Sequence, residues 1–170
     1  MKIILGIDPG LASTGYGVIR CLGSRFLHIE HGIIRTSPRE AVGERLLTIR
    51  RAILDVLASF NPDEAAVETV YFSKNSGSAI PVAQARGVIL CTLAEQGVPF
   101  AEYTPRELKQ AVVGRGQAEK AQIQGALRML FALEEEPSPD HAADALAAAL
   151  CHANVSAFRN RLKQLEKGHV

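Results

Sequence analysis

Three strand-like runs, residues 2–8, 14–22 and 25–35, follow one another with links of only five and two residues. Links that short cannot carry a crossover, so the three strands form an antiparallel meander. Gly23 and Ser24 make the second turn. The apolar period then changes. Over residues 39–60, Val42, Leu46, Ile49, Ile53, Leu57 and Phe60 recur at three- and four-residue steps, with Arg45, Arg50 and Arg51 between them. That is an amphipathic helix, ended by Pro62. Residues 64–70 form a short strand, and the strand–helix–strand order places it parallel on the same sheet through a right-handed crossover.

The remaining chain reads as follows. Residues 71–77 are a polar loop, with Tyr71 and Phe72 at its root. Residues 78–96 form a helix stopped by Gly97, and 98–103 a fifth strand. Thr104, Pro105 and Glu107 spell a capping box with Pro at the first helical position, for a helix to about Val113. Residues 114–117 are a basic break, and 118–133 another helix. After an acidic linker, 134–139, Ser138 is expected to cap a last, Ala-rich helix with Pro139 in its first turn. The fold class is α/β, with a mixed five-stranded sheet flanked by helices. Residues 1–157 make one domain, and 158–170 a basic, flexible C-terminal tail that frays.

With 170 residues, the chain can bury a full core. A net charge of +1 announces no nucleic-acid partner, so any such role must come from local clustering. Cys21, Cys91 and Cys151 are far apart, odd in number and form no Cys-x-x-Cys pair, which argues against a disulfide frame or a zinc site and suits a reducing cytoplasm. The brief apolar run at the N-terminus is broken by Asp8, so no signal peptide is expected, and no window suggests a membrane span.

Chemistry concentrates at strand ends. Asp8 closes the first strand, where Pro9 and Gly10 turn the chain. A carboxylate there either caps the turn or meets a cation or phosphate. A parallel crossover would bring Glu68, 60 residues on, level with it. Glu68 is then either a site residue or a satisfied residue of an alternating strand that shares a side with Ala66. In the last helix, His141 and Asp144 project from one face among small residues, with Asp140 in reach. Helix-dipole compensation accounts for Asp140 better than for Asp144. If Asp8, Glu68, His141 and Asp144 converge, their repulsion calls for a cation. An oxygen-rich set favours Mg²⁺ or Mn²⁺ over zinc, the imidazole tilting toward Mn²⁺. Two such ions, roughly 3.5–4 Å apart, support phosphodiester cleavage.

These residues resemble the RuvC Holliday-junction resolvases. The resemblance rests on Gly6-Ile7-Asp8-Pro9-Gly10 with Thr14-Gly15-Tyr16-Gly17, and on Glu68 with Tyr71 and Lys74-Asn75. It continues through Gln84-Ala85-Arg86-Gly87, Tyr103-Thr104-Pro105, and Lys109-Gln110-Ala111-Val112 with Gly114, Gly116 and Lys120. It ends at His141-Ala142-Ala143-Asp144-Ala145-Leu146-Ala147, an ordered match over about residues 3–153. The resemblance implies a ribonuclease-H-like fold, a homodimer, and a metal-dependent endonuclease that nicks opposed strands of a four-way DNA junction. Asp8, Glu68 and Asp144 match the family's acidic ligands. His141 falls at the fourth position, where many members carry Asp. It is expected to ligate metal or handle a proton, with Asp140 as an outside substitute. A branch-migration helicase complex of RuvA and RuvB type is implied as a partner.

Five basic residues (Arg106, Lys109, Arg115, Lys120, Arg128) stand against two acidic ones between 106 and 128. With Lys74 and Arg86 they form a possible phosphate track, or else a solvated helix surface. Lys109 and Lys120 match family positions near DNA. Tyr71, with Phe72 beside it, either stacks on an unpaired junction base or packs inside. The small, apolar faces of 78–96 are the candidate dimer interface. Two other functions fit less of the pattern. One is a non-catalytic junction-binding module of the same fold; the other is a fragment of an actin-like ATPase, which needs far more chain.

Overall fold

The computed structural model describes residues 1–69 and 76–167, with side chains over 1–69 and 79–156 and at 158. Five strands, β1 (Lys2–Asp8), β2 (Ser13–Leu22), β3 (Arg25–Arg35), β4 (Glu64–Glu68) and β5 (Phe100–Tyr103), make one sheet in the order β3-β2-β1-β4-β5. β1, β2 and β3 pair antiparallel, while β1–β4 and β4–β5 pair parallel. The helices are α1 (Val42–Phe60), α2 (Ser76–Glu95), α3 (Pro105–Val113), α4 (Lys120–Phe131) and α5 (Asp140–Lys167).

The sheet separates two cores. On one face Leu5, Ile7, Val18, Ala65 and Val67 pack against Ile49, Ile53 and Leu57 of α1 and Ala85, Ile89 and Leu93 of α2. On the other, Ile4, Ile19 and Ala66 meet Leu108 of α3, Ile123 and Leu127 of α4, and the Ala-rich face of α5. Both faces of β1 and β4 are covered, which is why these strands read as continuous apolar runs. The two-residue alternation puts Asp8 and Glu68 on the α5 side, with Ile4 and Ala66.

Several boundaries differ from the sequence expectation for local reasons. β5 begins at Phe100 because Val98 N–H closes α2 by donating to the Leu93 carbonyl, and Pro99 has no donor. β4 stops at Glu68; Thr69 instead donates its backbone N–H to the Tyr103 carbonyl. α4 starts at Lys120 because Glu119 is its N-cap, boxed reciprocally with Gln122. α5 starts at Asp140, so Pro139 precedes the helix rather than opening it. The Pro139 carbonyl, not the Ser138 hydroxyl, receives the first amide, from Ala142. The helix also continues through residues assigned to a fraying tail. The capping box at Thr104 and Glu107 forms as expected, with Pro105 at the first position.

Candidate functional site

The parallel pairing of Ile7 with Val67 makes Asp8 and Glu68 the next residues in register. Each ends its strand on the same face of the sheet. The exit of β4 is pinned, since the Thr69 amide donates to the Tyr103 carbonyl at 2.7 Å and its hydroxyl donates to the same oxygen at 3.2 Å. α5 lies against this face almost backbone to backbone. A Cβ on Gly6 would run into the Ala145 carbonyl, and one on Gly15 into the His141 carbonyl. Gly17 likewise leaves room for Leu146. With Ala142, Ala143, Ala145 and Ala147 buried, the helix sinks far enough to bring Asp144 to the strand ends. One carboxylate oxygen each from Asp8, Glu68 and Asp144 lies within 4.8 Å of the others.

Such a cluster is electrostatically frustrated. Burial, and then the charges of Asp8 and Asp144, push Glu68 up to about 9, with Lys109 pulling weakly the other way. Burial and then Asp8 raise Asp144 to about 6. At neutral pH the group therefore retains a proton unless a cation replaces it. The donors are all carboxylate oxygens, hard ligands suited to Mg²⁺ or Mn²⁺.

His141 stands outside the trio, 47% exposed, and its Nδ1 donates to Asp8 Oδ2 at 2.5 Å. That hydrogen bond is the main reason its pKa is raised. The four-residue pocket expected from sequence is thus three carboxylates with an imidazole leaning on one of them. Asp140 turns away: it accepts from Lys120 Nζ at 2.8 Å and Gln124 Nε2 at 3.0 Å.

Glu68 and Asp144 open onto a cleft walled by α3 and α4, in which Pro105, Leu108, Lys109, Lys120 and Ile123 also lie. The capping box at the head of α3 fixes the turn that presents Lys109. Arg115 lies elsewhere, in a cleft with Arg106, Gln117 and Gln122. Arg86 is engaged by Glu102 at 2.5 Å. Tyr71, Phe72 and Lys74 fall outside the described residues. Sequence reasoning missed Gly6, Gly15 and Gly17 as the seat of α5. The signal was present, since Gly15 and Gly17 share one face of β2 and Gly17 pairs with Gly6.

Comparison with known proteins gives this geometry a family. The family model for crossover junction endodeoxyribonuclease RuvC matches residues 4–152. A crossover junction endodeoxyribonuclease RuvC of Petrotoga mobilis is 49% identical over 161 residues, covering 95% of this chain and 97% of that one. Its counterpart in Treponema denticola is 50% identical over 152 residues, covering 89% and 85%. The structure of Thermus thermophilus RuvC in complex with a Holliday junction substrate superposes with a TM-score of 0.88 at 36% identity, covering 93% of this chain and 96% of that one. The fold is ribonuclease-H-like. The chain belongs to the RuvC family of crossover junction endodeoxyribonucleases.

Proposed function

We propose that the chain is a metal-dependent endodeoxyribonuclease that resolves four-way DNA junctions by paired, symmetric nicks in recombination and repair. The observation that carries this reading is the gathering of Asp8, Glu68 and Asp144 from three separate elements within 4.8 Å, in a chain of this family. Asp8, Glu68 and Asp144 would hold divalent ions, Mg²⁺ or Mn²⁺, two per site. When bound, such ions supply an activated water and a counter-charge for the leaving oxygen. The chain's own residues do the rest. The half-buried carboxylates give up the proton that their crowding retains as the site loads. His141 keeps a proton at Nδ1 against Asp8 and is placed to pass it, or to serve as a fourth ligand once that bond opens. Lys109 and Lys120 receive the phosphodiester strand along the cleft wall.

Arg115 extends the phosphate track beyond the cleft. Tyr71 and Phe72 stack against junction bases, with Lys74 on the adjacent phosphate. The enzyme acts as a homodimer, matching a two-fold substrate with a two-fold protein. Support comes from α2, whose outer side presents Ile80, Gln84, Gly87 and Cys91, exposed and without charge. RuvA- and RuvB-type branch-migration proteins are its partners. The enzyme works in the cytoplasm, a reading that the three free cysteines suit, and among the described residues no helix is long and apolar enough to cross a membrane. The test is nicking of a synthetic four-way junction with Mg²⁺ or Mn²⁺. Paired nicks in both opposed strands are expected. Binding without nicking in either metal would instead make the chain a junction-binding module.

A further inference from the structure

Lys109 and Lys120 stand on one side of the carboxylates. On the other side a second cleft opens, lined by the 9–13 turn, Arg45, Pro81 and His141. His141 joins the two regions: it lines this cleft and is bonded to Asp8. Among the described residues Arg45 is the cation of this cleft, and three features set it apart from an ordinary surface arginine. It is half-buried. Its Nε donates at 2.8 Å to the Thr36 hydroxyl, which in turn donates at 2.5 Å to the Leu11 carbonyl. The guanidinium is thereby registered to the turn that leaves Asp8. Yet no ion pair among the described residues includes it. A guanidinium held through Nε keeps its two terminal nitrogens for a partner, and a phosphate is the partner that fork fits.

Resting on the nuclease reading above, we infer that Arg45 binds a backbone phosphate of the cleaved strand, on the far side of the carboxylates from Lys109 and Lys120. The strand then crosses the acidic trio between two cationic walls. Each wall fixes one flank of the scissile phosphodiester, and Thr36 acts as the positioning residue for Arg45. No base is read, so the contact is the same for every sequence.

The test is single methylphosphonate substitution along the nicked strand, with junction binding measured over a range of salt. In the natural sequence, one neutralised position on the Arg45 side is expected to weaken binding on the order of tenfold. Arg45→Gln is expected to reproduce that loss, to remove sensitivity to that position alone, and to lower the salt slope by about one per subunit. Thr36→Val, which keeps the charge but not its tether, is expected to blunt the same position and leave positions on the lysine side unchanged. It serves equally if Arg45→Gln does not fold. An unchanged phosphate profile and salt slope in Arg45→Gln would overturn the assignment, as would a profile in which both variants weaken all positions alike. Failure of the unsubstituted protein to bind or nick the junction would instead overturn the nuclease reading.

Discussion

Glu68→Gln replaces a half-buried carboxyl with a neutral amide of nearly the same shape. Burial, Asp8 and Asp144 lift Glu68 from its ordinary 4.5 to about 9. A group raised in the folded state contributes fully below its unfolded value, and that contribution is lost as pH climbs toward the folded one. At pH 7 the unfolded chain has released the proton and the folded chain has kept it. The cost is about 1.4 kcal/mol per pH unit over roughly 2.5 units, or about 3.5 kcal/mol. Water at the open side and rotation of the carboxylates relieve part of this, so about 1–2 kcal/mol is the expected gain for Gln. That corresponds to roughly 3–6 °C in Tm for a chain of this size. The gain should shrink to nothing by pH 4, where Glu68 is protonated in both states. With Mg²⁺ the order reverses. The unsubstituted protein gains about 2.7 kcal/mol at about a hundred times its Kd, and the variant, short of one ligand, does not. Thermal melts in EDTA and in Mg²⁺, from pH 4 to 8, read both effects. A variant less stable than the parent in EDTA at pH 7, or one with an undiminished Mg²⁺ shift, would refute the reasoning.

Proton release on Mg²⁺ binding, followed by calorimetry in buffers of different ionisation enthalpy, should be largest near pH 7–8. Apparent affinity should climb between about pH 6 and 9, the range set by Asp144 and Glu68. Gly15→Ala drives a methyl into the His141 carbonyl; a loss of about 2–4 kcal/mol in denaturant melts is expected, with weaker Mg²⁺ binding because Asp144 is displaced. His141→Asp adds a fourth carboxylate, so it should lower the metal-free Tm and tighten Mg²⁺ roughly tenfold. Lys120→Ala removes a cleft cation and should lower the salt slope of junction binding by about one per subunit, with little change in Tm because its bridge to Asp140 is exposed.

Much of the fold was legible because consecutive short links and a single long amphipathic helix leave few topologies open. Parallel register alone set Asp8 beside Glu68, and the small residues around Asp144 announced a closely packed helix. What stayed hidden was set by contacts between elements. The same spacing put Asp140, His141 and Asp144 within reach of one another, but Lys120 and Gln124 draw Asp140 outward and Asp8 holds His141. The glycines that seat α5 were legible as a small-residue stripe on β1 and β2, but not that their partner is a helix more than a hundred residues away. Arg45 read as one more polar residue on a helix face. Only the turn of β3 into α1 shows that Thr36 reaches both it and the Leu11 carbonyl.

The most direct measurement compares cleavage and binding of one synthetic four-way junction by the unsubstituted chain and by Asp8→Asn in Mg²⁺. Asp8 stands within 4.8 Å of both Glu68 and Asp144 and receives the His141 hydrogen bond, so no other single change strikes as many of the proposed roles. Nicking by Asp8→Asn should fall at least about a thousandfold, while its junction affinity stays within a few-fold. Nicking at the normal rate by Asp8→Asn would contradict a metal centre built on these carboxylates.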